Sequence, residues 1–186
     1  MNNNDENYGS IVFTARGENV SCTDEKNEAV FEYQPQSEKY NLLTIQGSND
    51  DEPVHHENSI VLSLLTNGDL KTGTYPIIDD EDLLSCRSGT KTDGCVNVAS
   101  GVVSSNDEVS TAAWGTKDVR STGAGNLTIE KIDLGAYHAG ESADEAGYTE
   151  GRISGTFKYS GVNWDKTSTG TAAGKFENIP LKIYDK

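Results

Sequence analysis

Methionine occurs once in this chain of 186 residues, proline four times and cysteine three times, and apolar residues make up only 34%. No apolar run reaches the length of about 18 residues that a membrane-crossing helix needs. Scarce methionine beside abundant glycine, serine, threonine and asparagine argues against a helical bundle and for many turns. Basic residues are also few: 15 Lys and Arg face 30 Asp and Glu, a formal charge of −15. Such a surface repels phosphate backbones and anionic headgroups, which excludes nucleic acid and an electrostatically bound membrane as partners. No CxxC or Cys-His pair marks a zinc site, and no G-x-S-x-G elbow marks a serine hydrolase.

What the chain does contain is a series of short β-type clusters. Ile11, Phe13 and Ala15 alternate with polar neighbours, and Ala29, Phe31 and Tyr33 repeat the pattern before Pro35. Gly17–Asn27 between them reads as a long polar connection. Leu42–Ile45 reads as a third strand ended by Gly47–Pro53, and Ile60–Leu65 as a central strand buried on both faces. Thr72–Ile77 belongs near a sheet edge, because Pro76 cannot donate to a ladder. Residues 79–95 read as loop, followed by a strand pair over Val96–Ser104 and Val109–Trp114. Gly140–Ala146 lacks an apolar stripe and reads as loop as well.

The last third is the most ordered in pattern. Leu127 and Ile129 share one parity, whereas Ile132 and Leu134 share the other. One inserted residue near Glu130-Lys131 restores a single buried face, so the parity break predicts a β-bulge there. Ile153, Phe157 and Tyr159 alternate cleanly, with Gly155 on the inward face. Phe176 is out of phase with Ile179, Leu181 and Ile183, which predicts a second bulge or bend near Asn178. In all, about nine or ten short strands are expected, in an antiparallel, jelly-roll-like β-sandwich, with a closed β-barrel as the alternative.

Cys86 and Cys95 flank a glycine-containing loop able to bring their sulfurs together. A disulfide there contributes about 2–3 kcal/mol by restricting the unfolded chain, and it leaves Cys22 unpaired. Met1–Tyr8 resembles the polar tether that follows a lipid-modified cysteine in mature bacterial lipoproteins. That likeness predicts a flexible tether over residues 1–8, one β domain over 9–186, and membrane attachment only through a removed N-terminal anchor. Taken together, Thr72-Gly-Thr-Tyr-Pro-Ile77, Gly125-Asn-Leu-Thr-Ile-Glu-Lys-Ile-Asp133, Arg152-Ile-Ser-Gly-Thr-Phe157 and Gly174-Lys-Phe-Glu-Asn-Ile-Pro180 resemble small, uncharacterised secreted or lipid-anchored β-sandwich proteins of Bacteroidetes-type bacteria. The resemblance covers residues 60–184 and implies a secreted, periplasmic or outer-membrane-anchored protein. It carries over no catalytic residue.

Candidate chemistry is sparse. His55 and Glu57 could converge on one face of a strand, with His138 as a distant third ligand, but a solvated loop after Pro53 accounts for them equally simply. Asn49–Glu52, Asp79–Asp82 and Asp107-Glu108 are acidic runs without the spacing of a dedicated calcium loop, so calcium is the one cofactor left open. Trp114 and Tyr75 read as structural. Trp164 sits in the polar loop Ser160–Gly170, where it either caps the end of the sandwich or, as an exposed indole beside Asn163 and Asp165, could stack on a sugar while its neighbours bond the hydroxyls. The expectation is a non-enzymatic surface module binding a glycan or protein ligand. The alternatives are a lipocalin-like carrier of a small apolar ligand and an extracellular hydrolase. Any site is expected within Gly135–Gly147 or Ser160–Gly174.

Overall fold

Alternation in the sequence becomes alternation in burial. The computed structural model describes residues 8–23, 25–35, 38–51, 56–107, 118–140 and 146–185. It contains β1 (Ser10–Ala15), β2 (Glu18–Cys22), β3 (Glu28–Glu32), β4 (Asn41–Asp51), β5 (His56–Thr66), β6 (Gly73–Pro76), α1 (Asp80–Arg87), β7 (Val98–Asp107), β8 (Val119–His138), β9 (Tyr148–Val162) and β10 (Thr169–Tyr184). Ile11, Phe13 and Ala15 are buried as expected. The polar connection expected after them instead holds β2, which buries Val20 and Cys22. Arg16 and Gly17, both at positive φ, form the tight turn that pairs β2 with β1.

The strands close on themselves, which corrects the sandwich expectation in favour of the barrel. β3, β4, β5, β7, β8, β9 and β10 follow one another in antiparallel pairs, and β10 returns to β3 through the parallel pairing of Leu181–Ile183 with Ala29–Phe31. The β1–β2 hairpin rides on the first half of β10, and β6 pairs only with β8, at the edge expected for Pro76. Closure of so few strands needs strong bending. Register shifts supply it, the two parity breaks among them: between β8 and β9 the register shifts across Glu130, from Ile129↔Gly155 to Lys131↔Ser154, and again between Ser121 and Ala124 and between Leu134 and Tyr137. Between β10 and β9 it shifts from Phe176↔Gly155 to Ile179↔Ile153, with Asn178 at φ 54°.

The interior of so narrow a barrel is filled by side chains. Phe13, Phe31, Phe157, Tyr159 and Phe176 form its bulk, joined by aliphatic residues from every wall. Two glycines make room: the Tyr159 ring lies over Gly101, and the Phe176 ring covers Gly155. The Tyr159 hydroxyl donates to the Val119 carbonyl at 3.0 Å, and burial pushes its phenol far above the usual tyrosine range.

A second apolar cluster lies outside the barrel. Leu42, Leu65 and Val98 face one another across β4, β5 and β7, and Tyr40, Leu83, Cys86 and Cys95 cover them. Ile60–Leu65 is therefore buried on both faces only at its end; Val61 and Ser63 are half-buried. The cover is α1, where a loop was expected. Asp79 caps it by accepting from the Glu81 amide at 2.9 Å, and Asp80, Glu81 and Asp82 complement the positive end of its dipole. The Cys86–Cys95 disulfide is formed, with Cα atoms 5.5 Å apart, and Cys22 is buried and takes no part in it. The expected strand Val109–Trp114, His55 and most of Gly140–Ala146 lie outside the described residues. Among the described residues no helix is long and apolar enough to cross a membrane.

Candidate functional site

The hairpin joining β9 to β10 is built by the residues that flank its tryptophan. Asn163 is almost fully buried: its Oδ1 accepts from the Ser168 amide at 3.0 Å, and its Nδ2 donates to Thr167 Oγ1 at 3.1 Å. Its carbonyl accepts from Lys166 N at 3.0 Å, closing a turn with Lys166 at positive φ. Asp165 Oδ1 accepts from the Thr167 amide at 3.0 Å and from the Thr167 hydroxyl at 2.5 Å. Those bonds, the hydroxyl's first, hold the exposed Asp165 carboxyl below its ordinary range. Asn163 and Asp165, expected to meet a ligand, thus have side chains engaged in fixing the loop.

Trp164 is left standing out of this rigid turn with 58% of its surface exposed. Under its ring lies the Arg120 guanidinium, with Cζ 4.0 Å from the ring centroid. Arg120 comes from the start of β8, directly across from Val162, and is only 8% exposed. Its Nη2 donates to Asp80 Oδ2 at 2.9 Å, and Ser100 Oγ donates to the other oxygen of Asp80 at 3.2 Å. Its Nε is buried without a hydrogen-bond partner among the described residues. The cation–π contact with the indole offsets part of that cost, worth about 1–2 kcal/mol with the guanidinium buried and the ring half exposed. Outside it, Lys166 reaches Glu81 at 3.2 Å. The cations beside the indole are thereby matched by carboxylates, and Asp165 adds an exposed negative charge.

A groove of about 520 Å³ opens alongside, lined by Arg16, Thr122, Ser160, Val162, Thr169 and Thr171 as well as glycines. Val162 forms one of its walls and leads directly into the Trp164 loop. Arg16 is locked in place by the Asp118 carbonyl, at 2.9 and 3.2 Å, and by the Ser168 hydroxyl at 2.9 Å. The groove therefore offers hydroxyls and backbone rather than free charge.

The other candidates are dispersed. Asp79–Asp82 is the capped start of α1, with Asp80 and Glu81 committed to Arg120 and Lys166. His138 bonds Glu150 at 3.0 Å and stacks on Tyr148. Among the described residues no three His, Cys, Asp or Glu side chains are placed to hold a metal ion. Ser100 and Asp80 touch, but a buried hydroxyl beside a carboxylate neutralised by Arg120 positions that arginine and makes a poor nucleophile and base. Asp80 and Glu81 were expected only as part of an acidic run, and Arg120 and Lys166 were not expected at all, because three separate elements bring the four together. Comparison with protein-family models, with curated proteins and with solved structures finds no match.

Proposed function

We propose that this protein is a non-enzymatic binding module of the secreted or cell-envelope space that takes a neutral glycan on the Trp164 platform. The observation that carries the reading is the exposed indole held against the Arg120 guanidinium on a turn that Asn163 and Asp165 make rigid. Preorganised in this way, the ring loses little freedom when the C–H face of a sugar stacks on it. The Lys166–Glu81 pair, the exposed Asp165 carboxylate and the hydroxyl-lined groove favour an uncharged, hydroxyl-rich ligand over a polyanion, in keeping with a formal charge of −15. The disulfide fits an oxidising extracellular or periplasmic compartment, where such ligands are met. A barrel interior filled by five aromatic side chains weighs against carriage of a small apolar ligand.

A glycan array probed with the unaltered protein and with Trp164→Ala tests the reading. Binding by the former that weakens about tenfold or more in the variant is expected, a loss of about 1.4 kcal/mol. Equal binding by the two proteins rejects Trp164 as the platform, and no glycan retained by either rejects the glycan reading.

A further inference from the structure

At the opposite end of β8, β9 and β10 the outer face carries a second constellation. Cross-strand register sets His138, Tyr148 and Tyr184 in one row, then Glu150 and Lys182, then Asp133, Arg152 and Pro180. A groove of about 370 Å³ lies over these rows. Gly135 leaves it open, since a Cβ there would lie 3.0 Å from Glu150 Cγ, and Gly151 lines it with backbone alone.

The polar arms of the groove are held rather than loose. Glu150 bonds His138 at 3.0 Å through one oxygen and accepts from the Ala136 amide at 3.4 Å through the other. Arg152 Nη1 donates to the Asn178 carbonyl at 3.0 Å, where the bulge in β10 turns that carbonyl outward. Lys182 lies over the Tyr148 ring at 5.2 Å, and Asp133 pairs with Lys131. His138 stacks on Tyr148 with ring centroids 4.9 Å apart, and Tyr184 leans on it from the other side at 5.8 Å. In a strongly acidic protein this patch is balanced in sign, with two carboxylates against two cations, and Pro180 and the tyrosine edge supply apolar surface between them.

We infer that this groove is a second saccharide-binding site, in which Glu150, Arg152 and Lys182 bond ring hydroxyls while Pro180 and the edge of Tyr148 meet the sugar's C–H groups. Planar or forked side chains fixed by other bonds suit vicinal hydroxyls, because each can meet two at once without further ordering. The ligand class rests on the reading given for Trp164, but the residues are separate. From Glu150 to Val162 the strand β9 spans about 40 Å at 3.3 Å per residue. A ligand that engages both grooves is therefore a polysaccharide, held bivalently, with an effective concentration set by its own chain.

The test is amide chemical-shift mapping of the full chain against short neutral oligosaccharides of the gluco, manno and xylo series, and against the corresponding polysaccharides. Three variants accompany it: Trp164→Ala, Gly135→Leu to fill the groove, and Lys182→Ala. Shifts at Gly135, Glu150, Gly151 and Lys182 that persist in Trp164→Ala and weaken about tenfold in Gly135→Leu and Lys182→Ala are expected. A polysaccharide should lose affinity in either single-site variant by more than a short oligosaccharide does. Shifts confined to the Trp164 hairpin overturn the second site and leave the first standing, whereas shifts at neither place overturn both. A melting midpoint for Gly135→Leu close to that of the unaltered protein shows that the fold tolerates the filled groove; if it falls, the surface variant Lys182→Ala decides alone.

Discussion

Opening the Cys86–Cys95 bridge should cost this protein both stability and the geometry of its tryptophan. The bridge joins residues separated by 9 positions. Loop closure over so short a segment removes about 2.7 kcal/mol of chain entropy from the unfolded state. Reduction alone should therefore lower the melting midpoint by about 5–10 °C, at roughly 2–4 °C per kcal/mol for a chain of this size. Both sulfurs are fully buried against Tyr40, Leu42, Leu65, Leu83 and Val98. The double variant Cys86→Ala/Cys95→Ala also loses that packing, about 1 kcal/mol for each sulfur, and should fall by about 10–20 °C.

The effect should reach the proposed site because α1 is too short to persist alone. Its eight residues are held by Leu83, by the disulfide and by the Arg87–Glu38 ion pair at 3.0 Å. Its first turn supplies Asp80, which holds Arg120 beneath Trp164. In a Trp114→Phe background the fluorescence of Trp164 should become more accessible to a neutral quencher on reduction. Calorimetry with and without reductant measures the first effect, and quenching under the same two conditions measures the second. Midpoints within a degree of each other would refute the entropy argument, and unchanged quenching would refute the coupling through α1.

Gly155→Ala should lower stability by about 1–3 kcal/mol through overpacking, since the added carbon would run into the Thr128 carbonyl and lie 2.7 Å from the Phe176 ring; an unchanged denaturation midpoint would contradict this. Asn178→Ala should cost about 1–2 kcal/mol while Asn178→Gly should not, because the bulge holds this residue at φ 54°; equal losses would show that its side chain matters more than its backbone. The Asp165 carboxyl has a lowered folded-state pKa, so its contribution to the hairpin is fully present above the ordinary carboxylate pKa of about 4 and is lost as pH falls through the lower folded value. A carboxyl titration followed by NMR should place Asp165 below that ordinary value, and a midpoint at or above it would dismiss the Thr167 bonds as its cause.

How much of this was legible follows from how local each cause is. The bulges at Glu130 and Asn178 were readable because a change in the parity of buried residues is written within one strand. Barrel closure was not, because it rests on Leu181–Ile183 meeting Ala29–Phe31 from the other end of the chain, and an inward face alternates identically in a sandwich and a barrel. The helix α1 was hidden because only Leu83 and Cys86 turn inward from it, while Leu84 is half exposed. In β2, Val20 and Cys22 do alternate, but among polar neighbours two apolar residues are too few to announce a strand. The indole at position 164 stood out for the opposite reason: it is a large apolar ring in a stretch with no other cause to hold one. Asn163 and Asp165 belong to the residue types that close turns as readily as they meet ligands, and here their side chains close the turn.

One consequence of the bulges concerns the candidate sites more than the core. β10 gains a residue at its bulge and β8 gains residues at three irregularities, between Ser121 and Ala124, Ile129 and Lys131, and Leu134 and Tyr137, whereas β9 runs between them without one, so every even-numbered residue of β9 from Tyr148 to Val162 stays on the outer face. Glu150 and Arg152 at one end, and Ser160 and Val162 at the other, share that parity, and Trp164 continues it into the hairpin. Without the extra residues the neighbouring strands would change face partway along, and Asp133, Lys182 and Pro180 could not stand beside Glu150 and Arg152 while Ile132, Ile179 and Leu181 fill the interior. The same insertions that bend the wall therefore also keep both grooves on one continuous outer surface. That continuity is what a single long ligand would need.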